Sequence, residues 1–373
     1  MKISLFKIFW DQRDIESVAK IIRRGSNWAA GQEIVEFEQK AAQYLKRKYC
    51  VAFNSGTSAL QSVLLAYNIG KGNEVIVPSF TFIATANAVT ACGAKAKFAD
   101  IEEKTLGLDP RLIEKNINKK TKAIIPVHYG GRPCQIEKIR KIARKYQILL
   151  IEDAAEAFGS KYKNKMIGSF GDSAMFSFCQ NKIITCGEGG AIVTDDINLR
   201  NKLVLIRSHG RKESKNYFQD NLPNDYISLG YNYRMSSISA SLALSQLKKA
   251  EKNISRRIKK ANYYIEKLNK IQQIQIIDED KNSRNVFQLF SIQADDRNKL
   301  IEYLASRGIT SKVYFDPIHK SYFYWKKLNY KVKLPITEVI SSRIVSLPFY
   351  ANITYKEINY IVDTIKEFYQ NDD

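Results

Sequence analysis

Histidine is scarce in this chain. Only three occur among 373 residues, and none is spaced from another as a metal ligand would be, so a histidine-built metal centre is not expected. Cysteine is nearly as sparse. Cys50, Cys92, Cys134, Cys179 and Cys186 are dispersed, odd in number and free of C-x-x-C spacing, which suits free thiols in a reducing cytoplasm. No uncharged apolar run reaches the roughly 18 residues that a membrane-spanning helix needs. Residues 1–7 show neither a long apolar core nor a small-residue cleavage site, so no secretion signal is expected. Acidic residues are in deficit, 38 against 59 lysines and arginines, for a formal charge of +21. A nucleic-acid binder would gather that charge into a stripe or a known motif. Here the basic clusters are short and scattered (Lys46–Lys48, Lys119–Lys120, Arg256–Lys260), with no zinc-finger, RNA-recognition or basic-zipper pattern. The charge is therefore read as a lysine-rich surface with a site for anionic ligands.

What is present is a large apolar fraction, 45%, in a chain too long for one ordinary core. Between about residues 50 and 200, short apolar runs alternate with amphipathic segments. Glu74–Val77, Ala123–Val127, Ile148–Ile151 and Ala191–Val193 predict buried strands. Ile136, Ile139, Ile142 and Ala143 share one helical face, as do Leu60, Val63, Leu64 and Tyr67. Strand, helix, strand in this order predicts an α/β fold with a mainly parallel sheet covered on both faces. Ligands of such sheets collect at the carboxyl ends of strands. A long charged helix is expected over 246–272, then a strand at Val286–Ile292 and a helix at Arg297–Arg307. This divides the chain into a large domain, 1–245, and a small C-terminal α+β domain, 246–373.

Two motifs carry chemistry. Phe176-Ser-Phe-Cys-Gln-Asn-Lys182-Ile-Ile-Thr-Cys-Gly-Glu-Gly-Gly190 sets one lysine between an apolar run and a glycine-rich turn. Most lysines are merely solvated, but a lysine in such a pocket can attack a carbonyl. Upstream, Ile151-Glu-Asp153-Ala-Ala-Glu156 ends an apolar run with acids. An acid there is either a helix N-cap or the partner of a ring nitrogen, and Glu156 one turn on is either a second cap or a contact to a ring hydroxyl. A lysine that bonds a cofactor aldehyde and an acid that holds its ring nitrogen charged are what pyridoxal phosphate (PLP) chemistry needs. Asn54-Ser-Gly-Thr57-Ser58 is a glycine turn feeding a helix, either an ordinary cap or a phosphate site. Phe82 is either a core aromatic or a ring that stacks on a cofactor.

These motifs, with Trp28-Ala-Ala-Gly31, Phe37-Glu38, Thr81-Phe-Ile-Ala-Thr85, Pro126-Val-His-Tyr-Gly130, Ser208-His-Gly210, Gly230-Tyr-Asn-Tyr-Arg-Met235 and Ser346-Leu-Pro348, run in order over nearly the whole chain. In them the sequence resembles the DegT/DnrJ/EryC1/StrS sugar aminotransferases. The resemblance implies a fold-type I PLP enzyme, with a mainly parallel seven-stranded sheet sandwiched by helices. It implies Lys182 as the lysine that bonds the cofactor, Asp153 as the ring-nitrogen partner and Glu156 beside the ring hydroxyl. Thr57, Ser58 and Ser177 match phosphate-binding positions, Phe82 the stacking aromatic, and Asn232 a residue that reaches the phosphate from a second subunit. His209, Tyr314 and His319 match positions that contact sugar or nucleotide. A homodimer with its active site at the interface is thus expected, with an amino acid (L-glutamate) and a nucleotide-linked keto sugar as substrates.

The Gly-Glu-Gly-Gly form and Phe82 are similar to enzymes that aminate C4 of a 4-keto-6-deoxyhexose, such as perosamine-type synthases; C3 amination stays open. Phe158 departs from the family's small polar residue or histidine, and Cys179 and Cys186 are read as packing thiols. Three rivals remain at this level. Dehydratases of the same fold carry histidine in place of the lysine, and Lys182 argues against them. A non-catalytic PLP- or nucleotide-binding protein and a charge-driven nucleic-acid binder are the others.

Overall fold

The computed structural model describes residues 1–212, 225–277 and 280–370. In chain order its strands are β1 (Tyr49–Phe53), β2 (Glu74–Pro78), β3 (Lys95–Ala99), β4 (Thr121–Ile124), β5 (Leu149–Asp153), β6 (Lys161–Tyr162), β7 (Lys165–Met166), β8 (Ser173–Ser177), β9 (Gly190–Thr194), β10 (Ile274–Ile276), β11 (Ser283–Arg284), β12 (Phe290–Ala294) and β13 (Ile344–Leu347). Seven of them form the central sheet in the order β1-β9-β8-β5-β4-β2-β3. β9 runs antiparallel to both of its neighbours, and the remaining pairings are parallel. Its residues are Val-, Ile- and Ala-rich because both faces are covered, which is how a parallel sheet must be buried.

Two apolar layers flank the sheet. One joins Ile76, Ile124, Leu150, Phe176 and Val193 to the helices Gln32–Leu45, Ile136–Lys145 and Ser237–Leu247. The other joins Val75, Val77, Ile151, Met175 and Ile192 to Gly56–Ala66, Ala84–Ala91 and Ile197–Arg207. This is the alternation of side chains across a strand that the sequence pattern predicts. Phe158 belongs to the first layer. It stacks on Tyr44 at 5.0 Å and meets Phe176 and Phe178 edge-on, so it fills core volume and offers no hydrogen bond.

A smaller sheet, β10-β12-β13, packs with the helices Ala250–Leu268, Arg297–Ser306 and Tyr355–Gln370 around a third core. Three segments cross the line between residues 245 and 246. Ile3 pairs with Ile309, β11 pairs with β6, and Ile318, Tyr324 and Leu334 pack into the large sheet's second layer.

Two expected elements differ. The long helix expected over 246–272 is shorter, Ala250–Leu268, and residues 246–247 end the preceding helix, Ser237–Leu247. The break falls where Lys249 sits buried against Asp14 at 2.5 Å and Asp11 at 3.1 Å, an ion pair that a straight helix pattern does not reveal. The strand expected at Val286–Ile292 begins only at Phe290. The preceding carbonyls accept from Arg257, and the Leu289 amide bonds the Gly130 carbonyl, so this stretch serves the active-site wall instead of a sheet neighbour.

Candidate active site

β5, β8 and β9 bring the chemistry-bearing residues to one edge of the sheet. Asp153 is the last residue of β5, Ser177 the last of β8, and Gly190 the first of β9. Gly190 lies so close to the turn at Ser55–Gly56 that an added Cβ would stand 2.5 Å from the Gly56 nitrogen. A side chain there would displace the turn, which also packs against Met175 and Ser177.

Asp153 is 4% exposed. One carboxylate oxygen accepts from the Thr85 hydroxyl at 2.8 Å and the other from the Ala155 amide at 3.2 Å. Burial pushes its carboxyl above the ordinary carboxylate range. The Thr85 and Ala155 donors oppose that rise, Glu156 adds to it, and Lys182 opposes it. A buried carboxylate so placed is relieved by a cation brought against it. Lys182 follows the end of β8, its backbone amide bonded to the Cys179 carbonyl at 3.0 Å. Its amine lies 3.4 Å from Glu156, and its side chain is 14% exposed. The other oxygen of Glu156 accepts from the Gly130 amide at 2.8 Å, so the carboxylate is held from two sides.

The helix Gly56–Ala66 starts at the turn. Ser55 caps the Ser58 amide at 3.1 Å and its carbonyl takes the Ala59 amide, leaving the Gly56 and Thr57 amides open at the helix start. Thr57 is exposed there. Ser58 is not: its hydroxyl turns inward to Asn54 at 2.6 Å and the Ser55 carbonyl at 2.9 Å. These bonds shape the turn at the helix start. Phe82 is 61% exposed ahead of the helix Ala84–Ala91, with Phe315 6.2 Å away. Tyr314 faces Glu156 and Cys179, and burial raises its phenol above the ordinary range. His209, exposed and at φ 61°, and Asn232, also exposed, lie on two paired stretches, and the Asn232 carbonyl accepts from Asn54 at 3.3 Å. Cys179 contacts Glu188 and Cys186 is buried.

His319 is fully buried, one ring nitrogen 2.7 Å from Ser79 and the other 3.3 Å from Glu338. Both nitrogens are engaged, and the ring ties its segment to the Ser79 turn.

Three supporting residues lie inside the quoted motifs but carry no role from sequence. Thr85, the donor to Asp153, also meets the Thr81 hydroxyl at 3.1 Å. His128 and Glu152 form a buried pair beneath Asp153. His128 Nδ1 accepts from the Cys134 amide at 3.2 Å, so Nε2 carries the proton toward Glu152, also at 3.2 Å. Burial alone would raise Glu152; His128 and the Gly171 and Gly168 amides outweigh it and hold the carboxyl below its ordinary value. The His128 backbone in turn bonds the Asp153 carbonyl.

Thr85→Val keeps the shape and removes the donor to a buried carboxylate. The expected result is a loss of about 1–3 kcal/mol of unfolding free energy in denaturant melts. Unchanged stability would mean that Asp153 does not depend on Thr85.

These residues fit PLP: an amine for its aldehyde, a buried carboxylate for its ring nitrogen, a helix start for its phosphate and an exposed aromatic for its ring. Fold and site together define a fold-type I PLP enzyme. The DegT/DnrJ/EryC1/StrS aminotransferase family model matches residues 10–366, and the chain belongs to that family. It is a PLP-dependent sugar aminotransferase. It is 37% identical over 351 residues to the GDP-perosamine synthase of Escherichia coli O157:H7, covering 93% of each chain. It is 34% identical over 363 residues to the dTDP-3-amino-3,6-dideoxy-alpha-D-galactopyranose transaminase of Aneurinibacillus thermoaerophilus, covering 96% of each. The PLP-form of a sugar aminotransferase from Streptococcus pneumoniae superposes with a TM-score of 0.93 at 26% identity, covering 100% of this chain and 98% of that one. Among the described residues no helix is long and apolar enough to cross a membrane, and no cluster of three metal-ligating side chains occurs.

Proposed function

We propose that this enzyme moves an amino group from L-glutamate to a nucleotide-linked keto-deoxysugar, at C4 of a 4-keto-6-deoxyhexose, in polysaccharide biosynthesis. The observation that carries the amine-transfer reading is the Lys182 amine held by Glu156 beside the buried Asp153. The kinship with a GDP-perosamine synthase supports the sugar class, and the resemblance to perosamine-type synthases supports C4. A second reading, C3 amination, is favoured by the relative named as a 3-amino sugar transaminase.

When bound, PLP supplies an aldehyde and an electron-withdrawing ring. Lys182 bonds the cofactor in the resting enzyme. Freed from the cofactor, the Lys182 amine would take the proton from the donor's Cα and return it to the cofactor's C4′ carbon, base first and acid second. Glu156 orients that amine and faces the ring hydroxyl. Asp153 holds the ring-nitrogen proton, an ion pair that offsets the carboxylate's burial. The Gly56 and Thr57 amides, the Thr57 hydroxyl and Ser177 take the phosphate. Phe82 stacks on the ring, and Tyr314 and His209 face the sugar.

Asn232 completes the phosphate site of a partner subunit in a cytoplasmic homodimer. Supporting this, Tyr226, Ile227 and Leu229, on the stretch that leads to Asn232, are exposed, the last at 79%. Light scattering is expected to give a dimer mass; a monomer mass at working concentration would remove Asn232 from the site.

The deciding experiment incubates the protein with glutamate and a panel of nucleotide-linked 4-keto and 3-keto sugars, and identifies aminated products by mass spectrometry and NMR. Absence of aminated product with every sugar would overturn the reading. Phe82→Ala tests the stacking role separately. Because the ring is exposed, stability should change by less than about 0.5 kcal/mol. The dissociation constant for PLP, titrated into apoprotein, should rise about three- to tenfold.

A further inference from the structure

The opposite edge of the sheet carries a second cleft, of about 730 Å³, where β5 and β8 begin and β9 ends. At about 3.3 Å per residue, a five-residue strand puts roughly 15 Å between this edge and Asp153. Its walls include four cations: Arg47, Arg140, Arg144 and Lys165. Arg47 is anchored, 4% exposed in its side chain, with the Gly171 and Asp172 carbonyls and the Asp195 carboxylate as partners. The other three have no carboxylate within ion-pair distance among the described residues.

The cleft also holds three carboxylates, each bonded to a backbone amide. Asp172 accepts from the Leu150 amide at 2.8 Å, Asp195 from the Lys48 amide at 2.8 Å, and Asp196 caps a helix at the Asn198 amide, also at 2.8 Å. Lys165 sits over the Phe170 ring at 4.8 Å, and its amine is lowered by burial and by the charges of Arg140, Arg47 and Arg144. Three cations without an ion-pair partner among the described residues thus line one concavity, a receptor for an anion with several oxygens, and arginine forks match phosphate best. The volume suits a ligand larger than a single phosphate.

We propose that this cleft is a second binding site, outside the active site, for a phosphorylated small anion of the nucleoside diphosphate class, held by Arg140, Arg144 and Lys165. The site goes beyond the transamination chemistry and does not depend on it. Titration calorimetry on the PLP-loaded enzyme, with GDP and with inorganic pyrophosphate as probes, compares wild type with the Arg140→Glu, Arg144→Glu double variant. The wild type should bind one more probe molecule per chain than the variant, with at least about tenfold weakening at that site. Binding of both probes assigns recognition to the phosphates; binding of GDP alone adds the nucleoside. Transamination without added probe should be equal in the two proteins. Should the double variant not fold, Arg144→Gln with Lys165→Gln replaces it. Equal stoichiometry and affinity in wild type and folded variant, for both probes, overturns the proposal.

Discussion

Replacing Lys182 with alanine should abolish turnover, a loss of at least about 10⁴-fold, because in the proposed mechanism one amine serves both as the cofactor's tether and as the proton carrier. No second lysine is in hydrogen-bond contact with Glu156 or Asp153 among the described residues. The measurement is release of 2-oxoglutarate from glutamate in a single turnover of PLP-loaded protein. Lys182→Arg separates charge from chemistry. It keeps a cation near Glu156, but a guanidinium stays protonated and cannot act as the base. Both variants should be equally inactive while melting near the wild-type temperature, since the Lys182–Glu156 contact is long and partly solvated. Wild-type turnover by the alanine variant would remove Lys182 from the mechanism.

The parts of this site that repeat a local pattern were legible in the sequence. The strand ends at Asp153 and Ser177 follow from apolar runs that stop at polar residues, and the helix start at Gly56 follows from a capping serine and a glycine turn. Lys182 was legible because a charged residue between buried phenylalanines and a glycine turn is out of place unless it is used. What was not legible depends on contacts far apart in the chain. Thr85 meets Asp153 across 68 residues, and Ser79 meets His319 across 240. The burial of His319 between Ser79 and Glu338 is therefore invisible in the sequence. The direction of the Ser58 hydroxyl is hidden for a local reason, because a hydroxyl at the third position after a serine cap has two ways to turn and only the packing selects one. The single antiparallel strand, β9, was hidden too: a fully buried apolar run looks the same in either direction.

Asp153→Asn is the sharper test of how the protein drives the chemistry. The substitution keeps volume and lets the side chain still bond Thr85 or the Ala155 amide, so the fold and the binding of PLP should survive. What goes is the negative charge that holds a proton on the ring nitrogen. Burial already makes that charge costly, which is why the carboxyl is shifted upward, and in the proposed mechanism a pyridinium is what would compensate it. An amide offers no such compensation, and the ring then stays neutral and withdraws electrons weakly. The expected loss is about 10²–10³-fold in kcat for the glutamate half-reaction, the magnitude seen when one preorganised electrostatic contact is removed from a developing charge. The outcome differs in kind from Phe82→Ala, which weakens cofactor binding and leaves the rate of bound enzyme nearly intact, and from Lys182→Ala, which removes the base itself. If the PLP-saturated Asn variant turns over within threefold of wild type, the ring nitrogen does not draw its charge from Asp153, and the carboxylate's burial beside Thr85 has a purely structural cause.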